Sequence, residues 1–223
     1  MKKLPPVITI DGPSGAGKST LCKAIANKLK WISLESGLIY RVIAFIALKN
    51  NIFITEKNII PIVKKLDISS INKINKNILK NTKNNNYLTS SQKISHIASE
   101  LSIYPYIRKI LLKKQKLLRN FPGLVAEGRD MGTVVFPKAT LKFFLNASLE
   151  CRVQRRMLEL QKYRFNISYK KLFREMKNRD DKDQNRLISP LYPSKNAIIL
   201  DSTNVSFLEI INISMMHILK KIN

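Results

Sequence analysis

Glycine is scarce in this 223-residue chain, with seven in all, at positions 12, 15, 17, 37, 123, 128 and 132. Acid is scarce against base: 15 Asp and Glu face 40 Lys and Arg, and there are only two histidines, two cysteines and one tryptophan. His96 and His217 are too few for a His-rich metal centre or an easy His-based triad. Cys22 and Cys151 lack metal-ligand spacing and are expected to be reduced thiols. The longest apolar run, Val42–Leu48, has seven residues between Arg41 and Lys49, far short of the ~20 needed to span a bilayer. The opening MKKLPPVITID reaches Asp11 too soon for a signal peptide. These shortages predict a soluble cytoplasmic protein with no membrane partner. At 44% hydrophobic, the chain has enough apolar material for a real core.

The surplus is positive charge, +25 formally. It is spread along the chain among Asn and Ile, as in INKINKNILKNTKNNN, instead of forming a stripe. Such a balance licenses nonspecific attraction to polyanions and predicts no specific nucleic-acid partner. Lysine is the default cation: only 11 of the 40 basic side chains are Arg. Each Arg therefore raises the question of what a planar, bidentate donor does there, although a lone Arg on a helix is more often a solvated surface charge.

The stretch that organises the chain is VITIDGPSGAGKST, Val7–Thr20. Apolar and β-branched residues run into a glycine turn that opens a helical pattern at Lys18. Gly12, Gly17, Lys18 and Ser19 satisfy G-x-x-x-x-G-K-[ST], in the strand-then-helix setting the motif requires. Gly12, Pro13, Ser14, Gly15, Ala16, Gly17, Lys18, Ser19 and Thr20 would wrap backbone N–H groups around a polyphosphate at a helix N-terminus. Lys18 would reach the β- and γ-phosphates, and the Ser19 hydroxyl would ligate Mg²⁺.

Periodicity predicts strands over Val7–Ile10, Trp31–Leu34, Gly123–Glu127, Leu141–Leu145 and Ala197–Leu200. Helices are predicted over Lys18–Lys30, Ser36–Leu48 with Ser36 as cap, and Thr55–Leu66 with Thr55 as cap. Further helices are predicted from Ser90 or Ser91 to Ser102, and over Pro105–Arg119, Leu149–Lys162, Ser168–Asp183 and Phe207–Lys221. Between Asp67 and Thr89, short β-like pieces (Ile68–Ile71, Asn77–Leu79, Tyr87–Leu88) read as a small antiparallel insertion. Strands alternating with helices predict a parallel α/β sheet.

A phosphate loop implies a nucleoside triphosphate but not what is done with it. A second anion site is expected where arginines attend turn glycines or acids. Arg41 follows the SG turn, with Ser36 adding a hydroxyl and the N-terminal dipole of its helix. Arg129 sits just past a strand, where open α/β sheets bind ligands. Arg179 and Arg186 flank Asp180, Asp181 and Asp183 in NRDDKDQNR. Asp183 is placed to accept from sugar hydroxyls. Asp130 is placed to accept from an exocyclic amine, as carboxylates do from the N4 amino group of cytosine.

DGPSGAGKST, SGLIYR, GRDMGTVVFP and RDDKDQNR occur in the order and spacing of the signature stretches of bacterial cytidylate kinases, and the chain resembles that family essentially from end to end. The likeness is weakest from about Asn72 to Thr89. It implies a P-loop kinase fold with a parallel sheet core (1–35, 123–148 and 187–223), a nucleoside-monophosphate-binding region (36–122) and a helical lid (149–186). It implies transfer of the ATP γ-phosphoryl group to CMP or dCMP; Asp130 and Arg108 lead to the expectation that UMP is a poorer acceptor, and a monomer is expected. Carried over by position, Ser36, Arg41, Arg129 and Arg186 fall on the CMP phosphate. Ser99, Arg108 and Asp130 fall on cytosine, and Arg179 and Asp183 on the pentose. Arg155 and Arg156 on the lid are candidates for the transferring phosphates, beside Lys18. The family pattern often has another Arg where Gln184 stands. No unambiguous Walker B aspartate is visible, so Mg²⁺ is expected on Ser19, phosphates and water. The other readings are a P-loop kinase for another small anionic acceptor and a basic nucleic-acid-binding ATPase.

Overall fold

The structure, a computed structural model, describes residues 4–68, 71, 87–161 and 168–222. Five strands form one parallel sheet in the order β2-β3-β1-β4-β5. They are β1 Val7–Asp11, β2 Ile32–Glu35, β3 Leu124–Gly128, β4 Leu141–Asn146 and β5 Ile198–Asp201. β1 and β3 read as near-continuous apolar runs because both are buried along their whole length, as expected of a parallel sheet covered on both faces. The register sets Asp11 opposite Gly128 on β3 and opposite Phe144 on β4. The carboxyl end of β1 therefore adjoins the segment that continues into Arg129 and Asp130.

Among the described residues the helices are α1 Lys18–Leu29, α2 Ser36–Lys49, α3 Glu56–Lys65, α4 Tyr87–Leu101 and α5 Pro105–Lys116. They continue with α6 Leu149–Gln161, α7 Tyr169–Asn185 and α8 Phe207–Ile222. A π-helical turn covers Met131–Val135, a rare element that is frequent at functional sites. The backbone divides into two compact units, residues 1–34 with 118–223, and residues 35–117. In the first unit Leu21, Cys22 and Ile25 of α1 meet Ile8, Ile10, Val125, Phe143 and Leu145 of the sheet, with Ile210, Ile211 and Ile218 of α8. α6 and α7 pack against each other. In the second unit α2 packs on α4 and on α3, and α3 on α5. No helix among the described residues is long and apolar enough to cross a membrane.

Two local expectations are corrected. Ser36 is the first residue of α2 and not its cap. The cap position belongs to Glu35, which makes no side-chain capping bond, and the Ser36 hydroxyl accepts from Gln115 Nε2 at 3.0 Å. Tyr87–Leu88 opens α4 instead of forming a strand, and Ile68 and Ile71 lie in helical turns. The rest of the expected β insertion, Asn77–Leu79 included, lies outside the described residues. Thr55 does cap α3, accepting from Asn58 N at 3.4 Å.

Candidate functional site

β1 delivers Asp11 to a loop that only glycine could close. Gly12 has φ 152°, and a Cβ there would lie 2.0 Å from the carbonyl oxygen of Leu145. Gly17 caps α1 with φ 94° and no side-chain bond, and the first turn of α1 holds no acid. The first N–H groups of α1 thus have no capping side chain, which is the arrangement that receives an anion. Lys18 is 6% exposed, and its ammonium donates to the carbonyl of Pro13 at 2.7 Å. Burial, and then the charge of Arg129, push its pKa down to about 7 against the pull of Glu127.

Ser19 Oγ donates to Glu127 Oε1 at 3.1 Å. Glu127, 5% exposed near the end of β3, is the carboxylate that sequence reasoning missed. An acid inside an apolar strand was the available signal. A hydroxyl and a carboxylate side by side are the hard oxygen donors that suit Mg²⁺. Among the described residues no group of three or more His, Cys, Asp or Glu could enclose a metal ion, so phosphates and water would complete the shell.

The second cluster in this unit centres on Asp183. Arg129 Nε donates to Asp183 Oδ2 at 2.7 Å, and Arg186 Nη1 lies 3.9 Å from Asp183 Oδ1. Burial opposes the Asp183 charge, but Arg129 first, then Arg179 and Arg186, hold its carboxyl below the usual range. Burial likewise opposes the Arg129 charge, and Asp183 overcomes it, so the guanidinium is held more firmly protonated than usual. Arg186 follows the last residue of α7 with extended backbone. Asp130 is 4% exposed and precedes the π-helical turn, its carbonyl accepting from Val134 N at 2.9 Å and Val135 N at 3.1 Å.

Arg155 and Arg156 are engaged elsewhere. Arg155 donates to Ser202 Oγ at 3.0 Å, and Arg156 to Glu159 Oε2 at 2.6 Å. The arginine of α6 that meets the phosphate loop is Arg152. It is 5% exposed and donates to Ser14 O at 3.1 Å, Asp180 Oδ2 at 2.6 Å and Ala147 O at 2.9 Å.

The remaining expected residues belong to the second unit. Arg41 Nη2 donates to Ser95 Oγ at 2.7 Å. Ser99 and Arg108 converge on Ser102, whose hydroxyl donates to Ser99 O at 2.7 Å and whose carbonyl accepts from Arg108 Nη1 at 2.9 Å. Gln115, buried at 4%, joins Ser36 without having been singled out in the sequence.

A parallel sheet with a glycine phosphate loop after its first strand, and an arginine-rich cluster in the same unit, define a P-loop kinase. The solved structure of an uncharacterised protein from Eubacterium ventriosum shares this fold, with a TM-score of 0.54 at 11% identity over 96% of this chain and 98% of that one. The family model described as cytidylate kinase matches residues 8–221. A cytidylate kinase of Buchnera aphidicola is 50% identical over 223 residues, covering 98% of this chain and 96% of that protein. One of Erwinia tasmaniensis is 46% identical over 219 residues, covering 97% and 96%. The chain belongs to the cytidylate kinase family.

Proposed function

We propose that the chain transfers the γ-phosphoryl group of ATP to CMP or dCMP, giving ADP and CDP or dCDP, with UMP a poorer acceptor. The observation that carries this reading is the Arg129–Asp183–Arg186 cluster, built around the buried Asp183 carboxylate, in the same unit as the phosphate loop. Family membership supports a cytosine nucleotide as the acceptor. The acceptor phosphate is already anionic at neutral pH, so the attack needs no general base, which agrees with a chain holding two histidines. The barrier lies in bringing two polyanions together, and positioning plus charge neutralisation dominate such transfers.

Residues 12–20 take the triphosphate, and Lys18 follows its β- and γ-phosphates. Ser36, Arg41, Arg129 and Arg186 take the CMP phosphate, Ser99, Arg108 and Asp130 the cytosine, and Arg179 and Asp183 the pentose. Mg²⁺, held by Ser19 with Glu127 against it, supplies charge neutralisation on the phosphates. Residues 149–186 form a lid whose closure excludes water and suppresses ATP hydrolysis. Arg155 and Arg156 reach the transferring phosphates only if their contacts with Ser202 and Glu159 are exchanged. The enzyme works as a cytoplasmic monomer.

An acceptor panel of CMP, dCMP, UMP, AMP and GMP with Mg-ATP tests the proposal through release of ADP. CMP and dCMP are expected to be turned over fastest, UMP more slowly and the purine nucleotides negligibly. AMP as the best acceptor would refute it.

A further inference from the structure

Asp11 ends β1, precedes Gly12 and is 2% exposed. Its two oxygens each take one backbone N–H from consecutive residues, Oδ1 from Met131 at 2.8 Å and Oδ2 from Gly132 at 2.7 Å. Those residues directly follow Arg129 and Asp130. Gly132 has no room to shift, since a Cβ there would lie 2.9 Å from the hydroxyls of Thr9 and Ser194 and 3.3 Å from Asp11 Oδ2. The clamp therefore fixes the start of the π-helical turn, whose first bonds close back onto the Asp130 carbonyl. Only an ionised carboxylate offers two acceptors at this spacing. Asn would present an N–H to one of the two backbone donors, and Glu would add a methylene to a closed site.

We infer that Asp11 is a positioning residue for acceptor selection: by clamping the Met131 and Gly132 amides it sets how Asp130 is presented to the base, and it ties that setting to the first residue of the phosphate loop. The inference rests on the reading of Asp130 as the carboxylate that recognises cytosine. Asp11 acts through the turn and touches neither nucleotide. Its titration agrees with the geometry: burial raises the pKa most and Asp130 adds to this, while the two amides and Lys18 oppose, leaving it at about 6. The charged groups acting on it are Asp130 on the turn side and Lys18 on α1. The Thr9 and Ser194 hydroxyls around Gly132 are neutral. A protonated Asp11 would turn one of its oxygens into a donor facing an N–H.

The test compares wild type, Asp11→Asn and Asp130→Asn in steady-state turnover of CMP and UMP. Asp11→Asn is expected to lower the CMP:UMP ratio of kcat/KM about tenfold, the rate equivalent of one broken buried hydrogen bond. The KM for ATP stays within about twofold, because the loop conformation is set by its glycines. A ratio unchanged within about twofold overturns the inference, and if Asp130→Asn abolishes discrimination in the same experiment, the reading of Asp130 survives. If Asp130→Asn keeps discrimination, that reading is what fails, and the inference falls with it. Should Asp11→Asn not fold, the nucleotide-free wild type decides. The Met131 and Gly132 amide resonances, followed from about pH 3 to about pH 8, are expected to shift together in one step, because both donate to the same carboxylate. Amides that stay flat across that range overturn the inference.

Discussion

Replacing Arg129 by Lys preserves the charge and removes the fork. Arg129 Nε is committed to Asp183 at 2.7 Å, and Nη1 makes only a long contact of 3.4 Å with Gly128 O. The guanidinium can hold Asp183 with one edge and an acceptor phosphate with the other. A lysine ammonium is a point donor and must choose between them. Keeping the Asp183 pair forfeits the phosphate bonds, each charge-assisted bond being worth about 1.5–3 kcal/mol. Taking the phosphate leaves a buried carboxylate short of a partner, which is no cheaper. Either way, about 3 kcal/mol of transition-state stabilisation goes, on the order of 10²-fold in kcat/KM for CMP. A coupled ADP-release assay with CMP varied at saturating Mg-ATP reads this directly. KM for ATP, varied at saturating CMP, is expected to move less than about twofold, since the lost bonds are not made to the donor. Activity within twofold of wild type would remove Arg129 from the acceptor phosphate.

Glu127→Gln keeps the size of the side chain but loses the charge against Ser19, so half-maximal activity is expected at about 10-fold higher Mg²⁺, with the rate recovering at high Mg²⁺. An unshifted Mg²⁺ titration would take Glu127 out of the metal site. Gly12→Ala forces a methyl against the Leu145 carbonyl. It is expected to cost about 3 kcal/mol and lower Tm by about 6–12 °C, and a melt within about 1 °C of wild type contradicts the clash. At pH 8, Lys18 is mostly neutral and ATP is already fully ionised. ATP binding should therefore take up close to one proton as polyphosphate favours the charged ammonium. Titration calorimetry in Hepes and in Tris reports that proton as a difference between the observed heats set by the two buffers' ionisation heats, and equal observed heats in the two buffers would refute it. Asp11 ties up a proton in the folded state that the unfolded chain, near pKa 3.8, has released. Stability should therefore fall as pH rises from about 4 to about 6, a slope that Asp11→Asn flattens in urea melts at stepped pH.

Most of the sheet and helices could be read from the sequence because their signals are local. VITID and GLVAEG are near-continuous apolar runs, Pro105 opens α5 at its first position, and the phosphate loop is a contiguous motif. What escaped depends on distant partners. Ser36 looks like a cap because Ser favours that position, yet its hydroxyl is claimed by Gln115, 79 residues away. Tyr87 and Leu88 carry strand propensity but sit in α4, since strand propensity is a weak and context-dependent signal. Glu127 reads as a flaw in an apolar strand until Ser19 is found against it, 108 residues distant. Arg152 shares a charged helix with Arg155 and Arg156, and its three acceptors, Ala147 O, Ser14 O and Asp180 Oδ2, set it apart from them.

The few acids of this basic chain explain how so many cations share one unit. Lys18, Arg129, Arg179 and Arg186 would repel one another if no acid stood among them, and the Lys18 pKa is pushed down first by burial and then by Arg129 and Arg179. Asp183 offsets that repulsion by pairing with Arg129, and Glu127 by favouring the charged form of Lys18. On the proposed reading, nucleotide binding would exchange carboxylate partners for phosphate partners instead of burying new charge. Such an exchange keeps the desolvation cost low at the moment the two polyanions meet. It also explains why the acids cannot simply be removed to strengthen anion binding. Neutralising Asp183 would leave the arginines mutually repelling in the nucleotide-free protein, trading a ready site for an unstable one.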